Sequence, residues 1–479
     1  MKKSNLFLLL AVLIGAAANA QQSFSTYHTQ SLPQRSSLNA ALRPDCKWYI
    51  GMPGLSNLGV QYTNSGFNLR SLSGVLANRP ADTSVVVDLN RLVDVFNKVN
   101  YIGVKADQTW LSFGFKAGKH FFNAHIAEKI SVKFGYPKDL FSFLIEGNGG
   151  PNLGRNFDLR FSLDALHYRE YALGYSYNLH KNLIVGGRMK ALRGINLVEL
   201  KNTGFQITTR PEDYAYVITS DVELNTSSAL FPLIPTSDST NQDFNAQNLF
   251  KGIRNKGFAL DLGVEWKTQK KVTLSAGLND FGYINWRQNN VSIVSKKQNE
   301  AFIFDGLHIT SGDTATDVEG YFENLGDTLL KKFGVDTISR NFRTTLSTEL
   351  FFGASVELRK NLHLNGLVYA DFYNRRFYPG VTIGLYYRPF KMLSFNITNN
   401  FYNRALFNPG LTAVANLGAV QMFLNTENLI APVLIDRTRN VSVRFGINLT
   451  FGREKSRGES MNGGSSGGTG LETDPNTVH

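Results

Sequence analysis

Between Val441 and Gly452 the chain reads VSVRFGINLTFG, with an apolar residue at every second position. Val441, Val443, Phe445, Ile447, Leu449 and Phe451 share one face of an extended strand. Ser442, Arg444, Gly446, Asn448, Thr450 and Gly452 share the other. The length of this run constrains the fold more than any other feature. Ten steps of about 3.3 Å, tilted by roughly 40°, give an apolar height of about 25 Å, the height of the lipid-facing band of a membrane barrel. Strands of soluble sandwiches more often stop after about five or six residues.

The pattern recurs along the chain. Phe258, Leu260, Leu262, Val264 and Trp266 alternate with Ala259, Asp261, Gly263, Glu265 and Lys267. After a short polar break Val272, Leu274, Ala276 and Leu278 repeat it. Further turns are expected at Gly118, at His180–Asn182, at Arg359–Asn361, around Pro389 and near Gly418. Strands of about ten residues, with short turns alternating with longer polar loops, predict an all-β, transmembrane antiparallel β-barrel with its short turns on the periplasmic side. Counting from Tyr101 to Gly452 gives about 14 strands, within a range of 12–16. The segment NTGFQITTRPEDYAYVITSD reads either as membrane strands or as an outer hairpin. The apolar face is assigned to lipid, which turns Asp261, Glu265, Glu349, Glu357 and Arg444 towards the lumen. Trp266 and Trp286 close their strands at opposite ends of one hairpin, where aromatic side chains anchor a wall at the membrane interfaces. Helical spacing predicts short helices at 88–98, over KDLFSFLIEG and along one face of 318–333.

The N-terminus carries Lys2 and Lys3, an apolar run from Leu6 to Ala18, and the sequence Ala18-Asn19-Ala20. This is the pattern of a secretory signal peptide over 1–20, cleaved after Ala20. Residues 21–57 form an irregular lead containing Asn39, Trp48, Tyr49, Met52 and Leu55, a candidate plug for the barrel lumen. The barrel itself is expected over 58–452. The Gly/Ser-rich stretch 453–479 has the composition of a disordered tail. Cys46 is the single cysteine, so no internal disulfide can form. With 43 Gly, 35 Phe and 19 Tyr but only 18% charged residues, the composition suits close-packed strands with aromatic anchors. The formal charge of +12 is scattered over turns and loops and accompanies no nucleic-acid-binding motif.

Four stretches carry a resemblance: SLNAALRPDCKWYIGMPGLSNLGVQYTNSGF, LSAGLNDFGYINW, NLGAVQMFLNTENL and VRFGINLTFG. Together they resemble a family of mostly uncharacterised outer-membrane barrels from Bacteroidota. More distantly, the chain is similar to FadL-like long-chain fatty-acid transporters and to accessory barrels of the type IX secretion system. FadL-like barrels have an N-terminal hatch with an Asn-Pro-Ala motif; the matching place here reads Asn39-Ala40-Ala41, without the proline. The resemblance implies the fold and an outer-membrane location, and it specifies no cargo.

No catalytic constellation emerges, and neither a cofactor nor a metal site is expected. His120 and His125 precede Glu128 but fall on opposite faces of one strand, against the geometry of a metal pair. GNGGPNLG at 147–154 lacks the lysine and helix of a phosphate loop. Two functions follow. One is a plugged transporter or channel for hydrophobic or small solutes; the other is a non-transporting scaffold that binds a secretion or envelope protein partner. Outer-membrane lipids are the expected surroundings in both.

Overall fold

A strand that alternates apolar and polar side chains can hide only one face, and its open edge must find a partner. The computed structural model meets both demands with a closed antiparallel barrel of 14 strands. It describes residues 24–453 except 69, 71–75, 79–84, 88, 203, 230–253, 269–270, 296–300, 305–330, 374–375, 403–406, 432 and 435–437. The expected leader, most of the 318–333 helix and nearly all of the C-terminal tail lie outside the described residues.

The first strand, β1, runs over Trp48–Gly51 and resumes over Asn57–Asn64. It is followed by β2 (Val99–Ala117), β3 (His120–Pro137), β4 (Ser162–His180) and β5 (Leu183–Asn202). Next come β6 (Lys256–Lys267), β7 (Val272–Trp286), β8 (Phe342–Thr345, then Thr348–Arg359) and β9 (Leu362–Tyr373). The wall ends with β10 (Arg376–Phe390), β11 (Leu393–Phe401), β12 (Pro409–Leu417), β13 (Val420–Thr426) and β14 (Asn440–Phe451). Each strand pairs with its chain neighbours, and β1 closes the ring. It pairs with β14 on one side (Trp48 opposite Phe451, Tyr62 opposite Val441) and with β2 on the other (Tyr49 opposite Gly114, Val60 opposite Ala106).

The alternation resolves as expected. On β14, Ser442, Asn448 and Thr450 are buried inside, while Val443 and Phe445 are 51% and 39% exposed on the outer face. Exposed Leu262, Phe352, Leu364, Ile383, Ile397 and Leu424 continue that face around the ring. This contiguous apolar surface is far larger than the few hundred Å² that soluble monomers expose. The alternation breaks at Phe121–Phe122 and Phe351–Phe352. Phe122 and Phe352 point out, and Phe121 and Phe351 are buried inside. The inner partners pack against an N-terminal segment that fills the lumen and contains two single-turn helices, α1 (Phe24–Tyr27) and α2 (Arg35–Leu38).

Strands β2 to β5 are 18 to 20 residues long and project beyond the wall on the long-loop side. There, Val222–Ser228 extends the ladder of β5, pairs with Val291–Ser295, and through it reaches Val335–Ile338. A separate four-stranded sheet joins 156–158, 206–209, 216–219 and 301–304. The segment with two readings is therefore an outer hairpin and adds nothing to the wall. Helices α3 (Leu89–Val95) and α4 (Lys138–Glu146) form where the spacing places them, and α4 stops at Gly147 in a positive-φ conformation (φ 73°).

Three expectations need correction. The wall begins at Trp48, not at 58. Trp48, Met52 and Leu55 therefore lie exposed on the outer face of β1 and plug nothing, and Tyr49 is an inward wall residue. Met52 and Leu55 look out because residues 52–56 bulge while the ladder continues through Met52 N to Ile447 O (3.0 Å) and Gly54 N to Trp110 O (2.9 Å). Trp286 is not an interface anchor. A bulge near Asp280 shifts the parity of β7, leaving Trp286 fully buried with Nε1 donating to Thr344 Oγ1 at 2.9 Å. Finally, Pro389 stays inside β10 at a register irregularity, where its missing N–H breaks no bond, and the turn falls at Lys391–Met392.

Trp286 packs with Tyr168, Leu192, Leu197, Ala259, Ile284 and Leu346. Trp286→Ala should cost about 3–5 kcal/mol of folding free energy in reversible urea unfolding from lipid vesicles. Trp266→Ala, on the half-exposed outer face, should cost clearly less; equal losses would restore both to the interface.

Candidate functional site

The lumen is blocked midway by residues 24–47. The wall makes room for this segment with glycine. Gly186, Gly263 and Gly277 are partners in register on β5, β6 and β7, which leaves a bare inward patch three strands wide. Asn39-Ala40-Ala41 lies on this patch, and a Cβ at Gly186 or Gly263 would collide with Ala40 O or Asn39 Oδ1. The Asn39 side chain does what no apolar residue could. Nδ2 donates to Ala276 O (2.9 Å) and to Tyr27 OH (3.0 Å), while Oδ1 accepts from Ala41 N (2.9 Å). The last bond is a local turn that asparagine favours, so the segment bends here without proline.

Stacked rings, hydrogen bonds and an ion pair also hold the plug. Phe24 stacks on Tyr369 with ring centroids 3.7 Å apart, and Tyr27 stacks on Phe351 at 5.7 Å. Ser25 Oγ donates to Glu427 Oε1 (2.7 Å), and the same carboxylate accepts from Asn400 Nδ2 (2.9 Å) and Asn425 Nδ2 (3.2 Å). Burial holds the Glu427 carboxyl above the usual carboxylate range, against the opposing hydrogen bonds from Ser25 and Asn425. At the other end, Arg388 Nη1 binds Asp45 Oδ2 at 2.7 Å. Burial also lowers the His28 imidazole to about 3, so it is neutral and its Nε2 donates to Gly366 O at 3.1 Å.

The plug separates two chambers. The chamber facing the short turns, about 270 Å³, is lined by His28, Arg35, Arg43, Asp45, Glu265 and Lys267 among others. The chamber facing the long loops, about 210 Å³, mixes apolar and charged walls. Leu38, Tyr49, Ala127, Leu166, Tyr168 and Leu346 alternate there with Lys105, Lys129, Glu170, Lys190, Asp280 and Glu349. Its charges form a chain of pairs. Arg188 and Lys190 hold Asp261 at 3.1 and 2.8 Å, Lys190 holds Asp280 at 2.6 Å, and Lys129 and His125 hold Glu170 at 3.0 and 2.7 Å.

The charged residues expected in the lumen have different placements. Asp261 is fully buried in this chain, and Glu349 faces the upper chamber with Lys105 at 4.0 Å. Glu265 faces the lower one beside Lys267 (3.4 Å). Arg444 points inward and binds Asn57 (2.8 Å) and Asp107 (2.6 Å). Glu357 sits a third exposed at the short-turn rim, near Lys271. The sequence reading passed over Lys129, Arg188, Lys190, Asp280 and Glu427. All but Glu427 and Asp280 follow the inward parity of their strands, the signal that would have found them. His120 and His125 do part to opposite faces: His120 Nδ1 meets Tyr175 OH at 2.9 Å and His125 turns inward. Among the described residues no group of three or more His, Cys, Asp or Glu side chains could hold a metal ion.

The shape of the chain can be set beside solved barrels. It is similar to a toluene transporter, TodX, of Pseudomonas putida (12% identity, 90% of this chain and 97% of that chain, TM-score 0.37). It is similar also to a FadL homologue of Pseudomonas aeruginosa (9%, 92% and 100%, TM-score 0.41). The translocator domain of the autotransporter NalP from Neisseria meningitidis is a further match (8%, 84% and 88%, TM-score 0.30). No curated protein matches the sequence. A family model matches residues 41–427, most of the chain, and the protein belongs to that family of unknown function, DUF5723.

Proposed function

We propose that the protein is an outer-membrane transport barrel, closed in this structure by residues 24–47, that passes small or hydrophobic solutes when the plug shifts. The carrying observation is the plug itself, a short segment seated on a glycine patch with a chamber on each side. A wall needing only a filled interior could be filled by its own side chains. Here the glycines create a space that a separate segment then occupies. The upper chamber offers apolar surface bordered by paired charges, which suits a solute with an apolar body and one or two polar groups.

A second reading is a scaffold that engages a secretion or envelope protein. Its support is the outer platform built by the long strands β2 to β5, with exposed Leu144, Tyr214 and Ile303. Conductance separates the two. In planar bilayers, deleting residues 24–47 should raise single-channel conductance several-fold, while heat-modifiable gel mobility reports that the barrel still forms. Gly263→Val, which removes the seat without removing the segment, should raise open probability in the same direction. An intact barrel whose conductance ignores both changes would leave the scaffold reading in place.

Glu427 adds a pH dependence. Its carboxyl is raised in the closed state, so closure favours the protonated form; anchoring is complete below the ordinary carboxylate range and weakens as pH rises through the elevated one. Open probability should therefore increase with pH. Glu427→Gln, which stays neutral, should flatten that dependence, and Glu427→Ala, which leaves the Asn400 and Asn425 amides without their acceptor, should raise opening at every pH.

A further inference from the structure

Most of the described outward residues of the wall are apolar, and one sector is basic. At the long-loop ends of β6 to β8, and level with them midway along β5, Arg193 stands opposite Lys256, Lys256 opposite Asn285, and Asn285 opposite Arg343. Each has the outward parity of its strand, in line with exposed Met189 on β5, Phe258 and Leu262 on β6, and Phe281 on β7. Exposed Arg254 and Arg287 lie two residues further along β6 and β7. Arg193, Lys256, Arg254 and Arg287 make no ion pair with a described carboxylate. The next member of the row, Arg169 on β4, differs: it is buried and bound to Glu128 at 2.7 Å. Arg343 lies flat on the wall, its Cζ 4.1 Å from the Tyr283 ring centroid and its Nε donating to Asn285 Oδ1 at 2.8 Å. That posture leaves the two terminal nitrogens of the guanidinium for something outside the protein.

We infer that this arc is a docking site for the phosphate groups of an anionic lipid in the leaflet at the long-loop end. Three arguments select that occupant. The row begins where the apolar face ends: Ala191, Met189 and Phe258 are the next outward residues towards the short turns. That boundary is the headgroup level of a wall-embedding bilayer. Second, neighbouring strands lie about 4.8 Å apart, so the row from Arg193 to Arg343 is about 14 Å long, and strand tilt makes it climb obliquely out of the hydrocarbon. A headgroup with more than one phosphate can bridge such a row, and guanidinium forks match phosphate oxygens. Third, on the opposite wall the described outward residues that end the strands are apolar, Phe372, Phe377 and Val441, and the cation beyond them, Arg439, is already engaged within the protein. The inference rests on the wall being embedded in a membrane and is independent of whether the lumen conducts.

The test uses the full chain in uncharged detergent, titrated with diphosphoryl lipid A or with phosphatidylcholine, with bound lipid counted by native mass spectrometry. Saturable binding of lipid A is expected, weakened at least about tenfold in Arg193→Ala/Lys256→Ala/Arg343→Ala. Lys360→Ala/Lys391→Ala, at the opposite turns, should leave it unchanged. Heat-modifiable mobility and insertion into vesicles report that each variant keeps its fold and membrane placement. Equal lipid A binding by both variants would overturn the site. So would equal binding of phosphatidylcholine, or displacement of lipid A by millimolar inorganic phosphate, which would mark a site for the free ion.

Discussion

Closure of the ring between β1 and β14 is the constraint on which everything else depends. A fourteen-strand sheet left open would expose two rows of unpaired backbone groups, intolerable where no water can reach them. The closing strand is assembled in two pieces around a bulge, and it follows directly on the plug. Lys47, the last residue of the plug, donates its N–H to Phe451 O at 2.9 Å and accepts from Lys116 N at 2.6 Å. The segment that fills the lumen is thus tied to the seam that closes it.

A closed ring of this size encloses a space that must be filled or wetted. The protein does both. Stacked aromatics and the glycine seat make a dry contact around residues 24–42, while the paired charges of β3 to β7 surround the chamber above. Burying Asp261 beside Arg188 and Lys190 costs desolvation that the ion pairs only roughly offset. Such an arrangement adds little net stability. What it adds is registration, because removing any one member strands its partners. Arg188 makes the connection to the plug explicit by also donating to Ser36 O.

Much of this was legible in the residues. The alternation in β6 and β14 places nearly every inward and outward side chain correctly, because strand parity is a local property. The turns at Gly118, 181–182, 360–361 and Gly418 were readable for the same reason. What failed was set at longer range. Trp286 has the look of an anchor at a strand end, but a positive-φ residue, Asp280, shifts its parity. Trp48, Met52 and Leu55 sit in an irregular, proline-containing stretch that reads as a lead, and only pairing with β14, some four hundred residues away, turns it into wall. The plug's true extent was hidden likewise, although the doubled phenylalanines at 121–122 and 351–352 marked where both faces of the wall are dry. Glycines in register across β5, β6 and β7 cannot be recognised as a seat until the three strands are aligned.

The account stands on the outer face touching hydrocarbon. The direct measurement is spin labelling of single cysteines along β14, from 441 to 451 with Cys46 replaced by Ser, in lipid vesicles. Relaxation by oxygen, which concentrates in the bilayer, is compared with relaxation by a water-soluble nickel complex. Oxygen should dominate at 443, 445, 447 and 449, with a strict period of two and a collapse of both signals at the inward sites 442, 448 and 450. Nickel access at the odd positions equal to that of an exposed loop would contradict it.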